Sequence, residues 1–289
     1  MHNMKRIAIL LLAIAFGLLS CSEKPEEDSQ GKDIISIPDL PEDPQPENLS
    51  FEHRILLLQH TGTYCPNCPR LMKSLKALSQ DKDYSDKYHH VAAHSYNSEG
   101  DHAYSEGAAN LSQAFCSGYY PELTFNLTSE NTGTSLSVET IKDYIDVLHK
   151  DSSPVGIAAA VSRTGLALGV NVEIKAAEEN QYRIAAWVLE DDIQCKQEGA
   201  DEEWMNTHDN AVKVMAGSTL NLRIYGEKAG TLAKGETARK SFEISLDESC
   251  NVENCKVLVV VNSAGTDGRF DLANCVLCPI GGEVSYKYR

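Results

Sequence analysis

The sequence predicts two folded parts of different class, an α/β domain followed by an all-β sandwich. Three observations carry that prediction. Between residues 54 and 150, apolar runs of strand length alternate with segments of helical period. Beyond Pro154 the helical period disappears, leaving short β-rich runs separated by Gly, Asn, Asp and Lys. Ahead of both lies a stretch too acidic and proline-rich to bury a core. The organisation expected is residues 1–20 as an export signal, 21–50 as a tether, 51–152 as the α/β domain and 153–289 as the sandwich.

In the α/β part, Ile55-Leu56-Leu57-Leu58 suits a strand buried on both faces. Leu71, Leu75 and Leu78, with Met72, recur at helical spacing, and Lys73 and Lys76 fall on the other side. His90-Val91-Ala92-Ala93 reads as a second strand, 108–115 as a helix, and Leu123-Thr124-Phe125 as a third strand just after Pro121. Ile141, Tyr144, Ile145 and Leu148 share one face of a last helix that Ser137 is placed to cap. In the β part the runs are 157–161, 166–174, 182–189, 220–224, 242–246, 257–261 and 284–288. The boundary falls at Ser152 to Pro154.

The N-terminus reads as an export signal: Lys5 and Arg6 precede an apolar run from Ile7 to Leu19, too short to span a bilayer comfortably. Leu18-Leu19-Ser20-Cys21 resembles the bacterial lipobox, which makes Cys21 the lipidated residue and a membrane the first partner expected. Each buried acyl methylene would contribute roughly 0.8 kcal/mol to that anchor. The following residues carry Glu23, Glu26, Glu27 and Asp28, then Pro38, Pro41, Pro44 and Pro46. Net charge is −16, or −18 without Lys5 and Arg6, which argues against nucleic acid as a partner because phosphate binding needs a basic footprint. Nine cysteines fit an oxidising compartment.

The constellation with a mechanism is Cys65-Pro66-Asn67-Cys68, between the buried strand and the amphipathic helix. This placement puts Cys65 at a helix N-terminus, where free N–H groups and the helix dipole favour a thiolate, the nucleophile of thiol–disulfide exchange. Pro66 suits the first helical position. Cys65 would attack a substrate disulfide and Cys68 would resolve the mixed intermediate. A structural disulfide and a metal half-site, completed by Cys275-x-x-Cys278, stay open as alternatives.

A strand, a C-x-x-C at a helix start and a proline opening a later strand resemble the thioredoxin fold. Pro121, in Tyr119-Tyr120-Pro121-Glu122, matches that fold's cis-proline, which faces the redox pair and guides substrate backbone. Thr61-Gly62-x-x-Cys65-x-x-Cys68-Pro69, the Tyr-Pro step and Trp204-x-x-x-His208-Asp209-Asn210-x-Val212 resemble the outer membrane protein 28 family of Bacteroidota. That resemblance implies an envelope lipoprotein, in the outer membrane and facing periplasm or cell surface. It also implies a fold class of an α/β thioredoxin-like N-terminal domain followed by an all-β, immunoglobulin-like sandwich. Cys65, Cys68 and Pro121 would be catalytic, Tyr64 and Tyr120 would bind substrate, and protein thiols or disulfides would be the substrates. Two departures stand out: Tyr64 replaces the tryptophan that usually precedes the first cysteine, and Gln59 replaces the buried acid that assists proton transfer.

No cofactor and no metal is expected. His90 and His94 would share a strand face, though satisfied or solvated histidines are the commoner case. Trp187 and Trp204 read as packing residues. Three residues of strand span roughly 10 Å, so Cys275 and Cys278 cannot bridge each other if their stretch is extended. Cys250 and Cys255 bracket a polar turn and are expected to close on each other, and Cys116 has no evident mate. The rival function is non-enzymatic, a disulfide-stabilised surface lipoprotein that binds or adheres to a partner.

Overall fold

The structure, a computed structural model, describes residues 35–133, 135–217 and 224–289. The export signal, Cys21, the first acidic residues and most of the 220–224 run lie outside the described residues. Asp33–Arg289 form one compact unit.

The first half contributes β1 (Ile55–Thr61), α1 (Pro69–Ser79), β2 (Tyr88–His94), α2 (Glu106–Phe115), β3 (Glu122–Phe125) and α3 (Val138–Leu148). The helices start where side chains satisfy orphan N–H groups: Ser105 Oγ accepts from Ala108 N at 3.0 Å, and Ser137 Oγ from Thr140 N at 3.2 Å. The second half contributes β4 (Val155–Thr164), β5 (Ala167–Ala176), β6 (Asn180–Glu190), β7 (Ile193–Gln194), β8 (Thr207–His208) and β9 (Ala211–Ala216). It continues with β10 (Glu227–Leu232), β11 (Thr237–Ser245), β12 (Cys255–Ala264), β13 (Phe270–Pro279) and β14 (Glu283–Val284).

These strands overturn the expected fold class. An α/β thioredoxin-like domain and a separate immunoglobulin-like sandwich would each close a sheet of their own. Instead the chain is mostly strand, with three α-helices among the described residues, and one mixed sheet takes strands from both halves. Its order is β13-β12-β6-β9-β2-β1-β3, with β10 also on β6. The junction is β9, antiparallel to β6 and joined in parallel to β2 at Ala92↔Ala211, where Ala92 N donates to Asn210 O at 2.9 Å. Local periodicity reports which residues are strand; it carries no record of a pairing 119 positions away. A second sheet, all antiparallel, runs β11-β5-β4-β14.

Strand β6 shows why the halves adhere. Tyr182, Ile184, Ala186 and Val188 face the second sheet and pack with Val170, Val172 and Ile174. Ala185, Trp187 and Leu189, on the opposite face, join Leu58 of β1, Val91 of β2 and Leu111 of α2. Both faces are buried from Ile184 to Leu189, so that stretch reads as an unbroken apolar run, and each fully buried aliphatic side chain contributes roughly 1.5–3 kcal/mol. A third core, beneath α1 and α3, holds Ile55, Leu57, Leu71, Leu78, Ile141 and Ile145.

Residues 35–50 contain neither helix nor strand, as their prolines require, yet they lie against β5. Asn171 Nδ2 donates to Pro38 O at 2.8 Å. Lys175 Nζ reaches Asp43 Oδ2 at 3.0 Å and also the Pro46 carbonyl, and Tyr288 OH donates to Asp43 Oδ1 at 2.6 Å. Polar anchors supplied by β5 and by Tyr288 hold a segment that has no apolar core of its own.

Candidate functional site

The loop from β1 to α1 carries the Cys65–Cys68 pair, joined as a disulfide with S–S 2.10 Å and Cα–Cα 5.4 Å. Its position corrects the sequence reading by three residues. Cys68 is the N-cap of α1 and Pro69 its first residue, whereas Cys65 and Pro66 sit in the preceding turn. Two prolines three apart both suit a helix start; the helix takes the second because a helix capped at Cys65 would need the N–H of residue 69 on Cys65 O, and Pro69 has none, whereas Cys68 O accepts from Met72 N at 3.2 Å. Both cysteines are buried, at 2% and 0% exposure.

The other half of the chain holds the loop that carries them. Gln197, 1% exposed, points its Nε2 at the carbonyls of Gly62, Thr63 and Cys65, at 3.3, 3.1 and 3.0 Å. Glu198 N donates to Thr63 O at 2.7 Å. The loop is fixed from its inner side by Asp101, whose Oδ2 accepts from Thr63 N and from His94 Nδ1, each at 2.9 Å, while Oδ1 accepts from Ala103 N at 2.9 Å. Burial alone would raise the Asp101 pKa, but the His94 contact and the two backbone N–H groups outweigh it and bring it down to about 2. Asp101 and Gln197 carry no sequence signal of this role, since each is an isolated polar residue 36 or 132 positions from Cys65.

Gln59, where a buried acid was absent, is 4% exposed and its Oε1 lies 3.0 Å from His90 Nε2. His90 Nδ1 in turn faces Asn210 Nδ2 at 3.3 Å, so the position is filled by a neutral hydrogen-bonded chain. Burial holds His90 down at about 4, with Lys256 adding to the effect. This chain forms one wall of a cavity of about 610 Å³ between α1, β2 and residues 204–210, lined also by Met72, Leu75, His94, Trp204 and His208. The Trp204-to-Val212 motif therefore closes the cavity and supplies the β2–β9 junction.

The Tyr120–Pro121 bond is cis. The Tyr120 ring lies 5.1 Å from that of Tyr96, and Tyr96 O packs on Gly62, where any Cβ would come within 2.4 Å. Only glycine allows that approach, which places the Tyr120–Pro121 step beside the cysteine loop. Tyr64 is 42% exposed, with its hydroxyl over Gly100 on another side of the loop, and Tyr119 is 80% exposed.

The remaining described cysteines are free thiols, including Cys250 and Cys255, which were expected to close on each other. A short 3₁₀ turn, Val252–Asn254, intervenes, and Cys255 Sγ lies instead at 3.4 Å from Asn251 O. Cys275 and Cys278 sit on opposite faces of β13, in different cores, so neither meets Cys65 or Cys68 as a four-cysteine set would require. Cys116 Sγ donates to Glu122 Oε2 at 3.2 Å, and burial, with that carboxylate, pushes the thiol up to about 11. Among the described residues no group of three or more His, Cys, Asp or Glu is arranged to hold a metal ion.

The cysteine loop, the cis-proline step and the shared sheet define a protein with two main sheets and one bridged cysteine pair among its described residues. The chain belongs to the outer membrane protein Omp28 family, whose model matches residues 113–274, and it is an outer membrane or envelope protein. No curated protein matches it. Among solved structures, HBP35 of Porphyromonas gingivalis is similar, with TM-score 0.64 and 16% identity over 80% of this chain and 76% of that one. A structural-genomics protein from Agrobacterium tumefaciens gives TM-score 0.48 and 13% identity over 82% and 99%. At such identities the likeness concerns the fold.

Proposed function

We propose that the protein is an envelope lipoprotein, anchored by lipid on Cys21, that exchanges thiols and disulfides with protein substrates through Cys65 and Cys68. The observation that carries this reading is the disulfide closed across a four-residue turn at the N-cap of α1, while the other six described cysteines are unbridged. In the reduced pair, the Cys65 thiolate attacks a substrate disulfide. A Cys65–substrate bond forms and the other substrate sulfur leaves as a thiolate. Cys68 then attacks the Cys65 sulfur, closing the pair and freeing the second substrate thiol, so two electrons pass to the substrate. Oxidation of a substrate dithiol is the reverse. Pro121, Tyr64 and Tyr120 flank the loop and would bear on the substrate segment.

The test is trapping. Cys68→Ala leaves the attacking thiolate without its resolving partner and will accumulate mixed disulfides, visible on non-reducing gels, whereas Cys65→Ala will accumulate none. Burial of both sulfurs favours a second reading, in which the disulfide is structural and the protein is a surface-binding or adhesion lipoprotein. That reading stands if neither variant traps a partner and the reduced pair alkylates no faster than an ordinary thiol.

The anchor is tested separately. Cys21→Ala will release the protein from the membrane fraction or leave it unprocessed; unchanged fractionation with an unchanged N-terminal mass would refute lipidation.

A further inference from the structure

We propose that the segment Cys195–Trp204 is a cap over the cysteine pair, latched by Gln197, which decides how large a thiol or disulfide can reach Cys65. The inference rests on the exchange reading and deepens it. Thiol–disulfide exchange requires in-line access to one sulfur, and in the closed structure neither cysteine offers it. The cap is held at three places. Gln197 and Glu198 bond the loop carbonyls on the Cys65 side. Gly199, at φ +75°, lies so close to Pro66 that a Cβ would come within 2.4 Å of its carbonyl oxygen. On the outer face of α1, Asp201 pairs with Lys73 at 2.6 Å, and Lys76 Nζ stands 3.8 Å from the centre of the Trp204 ring.

These attachments are of a kind that opens locally. Across residues 196–203 Gln197 alone is buried, so lifting the segment exposes little apolar surface. The Lys73–Asp201 pair is exposed and weak. The roots of the segment are firmer: β7 and β8 pair with each other, Cys195 N donates to Asn206 O at 3.0 Å, and Gln197 N to Asn206 Oδ1 at 2.9 Å. Opening therefore swings a loop on a closed base without disturbing the sheets.

The experiment measures reduction of the Cys65–Cys68 disulfide in the purified full-length mature protein, by dithiothreitol and by a reduced protein dithiol, quantified by alkylation and mass. A reductant thiolate attacks Cys65, the S–S bond breaks and Cys68 leaves as a thiolate. The second reductant thiol then displaces Cys65 and closes the reductant's own disulfide, two electrons having passed. The cap predicts that dithiothreitol reduces the protein at least about 100-fold more slowly than an oxidised peptide covering 61–71. Gln197→Ala should speed reduction by about tenfold, the worth of one to two net hydrogen bonds. The gain should be larger for the protein dithiol than for dithiothreitol, a size dependence that a purely structural role for Gln197 would not produce. Asp201→Asn, exposed and harmless to folding, should give about a twofold gain that 0.5 M salt reproduces in the wild type.

Equal rates for peptide and wild type would overturn the cap. So would a Gln197→Ala variant with native near-ultraviolet dichroism and wild-type rates; should that variant not fold, an unchanged rate in Asp201→Asn has the same force. Faster reduction in the variants, without any mixed disulfide in Cys68→Ala, leaves the cap standing and removes the exchange reading. Trapping in Cys68→Ala with no response to Gln197→Ala does the opposite.

Discussion

Acidification from pH 7 to about 4.5 is expected to unfold the protein, because three of its buried histidines are held neutral by the fold. His60 is wholly buried, with Nδ1 3.0 Å from Ser112 Oγ and Nε2 3.0 Å from Thr124 Oγ1, and burial pushes it down to about 3. His53 is lowered to about 4 by burial and by the positive neighbours His149, Lys150 and Arg54. Its Nδ1 accepts from Lys150 N at 3.0 Å and has no room for a proton. His208 is likewise lowered to about 4, first by burial and then by His94, and its Nε2 lies 2.9 Å from Cys195 O. Each folded value lies below the ordinary 6.5, so the unfolded chain binds more protons throughout the interval between them. Stability is therefore complete above pH 6.5 and is lost as pH falls toward 4. At about 1.4 kcal/mol per unit for each histidine, three lose about 4 kcal/mol per unit. Two units below 6.5 the loss is on the order of 5–8 kcal/mol, comparable with the whole stability of an ordinary domain. Asp101 works in another window, since its lowered value costs stability only below about 3.8. Urea midpoints measured between pH 7 and 4.5 test this; a flat profile would show that the histidines are not buried neutral. His89 and His90, also held at about 4, add to the slope, so His60→Gln, which removes one of five titrating groups, should reduce it by about a fifth.

Replacing Asn274 by alanine is expected to lower stability by about 4 kcal/mol, although the side chain touches no ligand and lies far from the cysteines in sequence. It is 5% exposed on β13 and fully used. Oδ1 accepts from Arg54 N and Cys275 N, and Nδ2 donates to Glu52 O and Val155 O, all at 3.0 Å. One amide thus ties the entry to β1, the start of β4 and the strand β13. Alanine would take this partner from Arg54 N, Glu52 O and Cys275 N, while Val155 O would keep Ser153 Oγ at 2.8 Å; at roughly 1–3 kcal/mol for each group left unpaired before relaxation, the loss sits well above the usual one for a single hydrogen bond. Asn274→Asp removes both donors and should also be severely destabilised, while Asn274→Gln should recover little because the longer chain misplaces all four contacts. Chemical denaturation gives the answer directly: a loss under 1 kcal/mol for Asn274→Ala would mean that water takes over the contacts and the two halves do not depend on this residue.

Where a few neighbouring residues decide a feature, the chain could be read directly. Ser137 caps the helix whose inner face is Ile141 and Ile145, because a side-chain oxygen three residues ahead of an N–H needs no tertiary help. The apolar run at Ile55–Leu58 forms a strand buried on both faces, and the Cys65–Cys68 spacing closes a disulfide. The helix start three residues late is a near miss of the same local kind, Pro69 prevailing over Pro66. What no window of the sequence contains is which surfaces meet. Ala92 and Ala211 are ordinary strand residues until packing brings them into register and merges the sheets. Gln197 is one polar loop residue among several until it lies over Cys65. The docking of residues 35–50 likewise depends on Lys175 and Tyr288, far along the chain. Periodicity and capping follow from interactions within a turn or two of backbone, so the helices, most strands and the candidate cysteine pair could be read from the residues, whereas the short strands β9 and β10, which have no clear apolar alternation, are not among the runs read there. Burial and hydrogen bonding between distant segments depend on how those elements pack, so only the tertiary structure decided the single shared sheet, the neutral histidines and the cover on the pair.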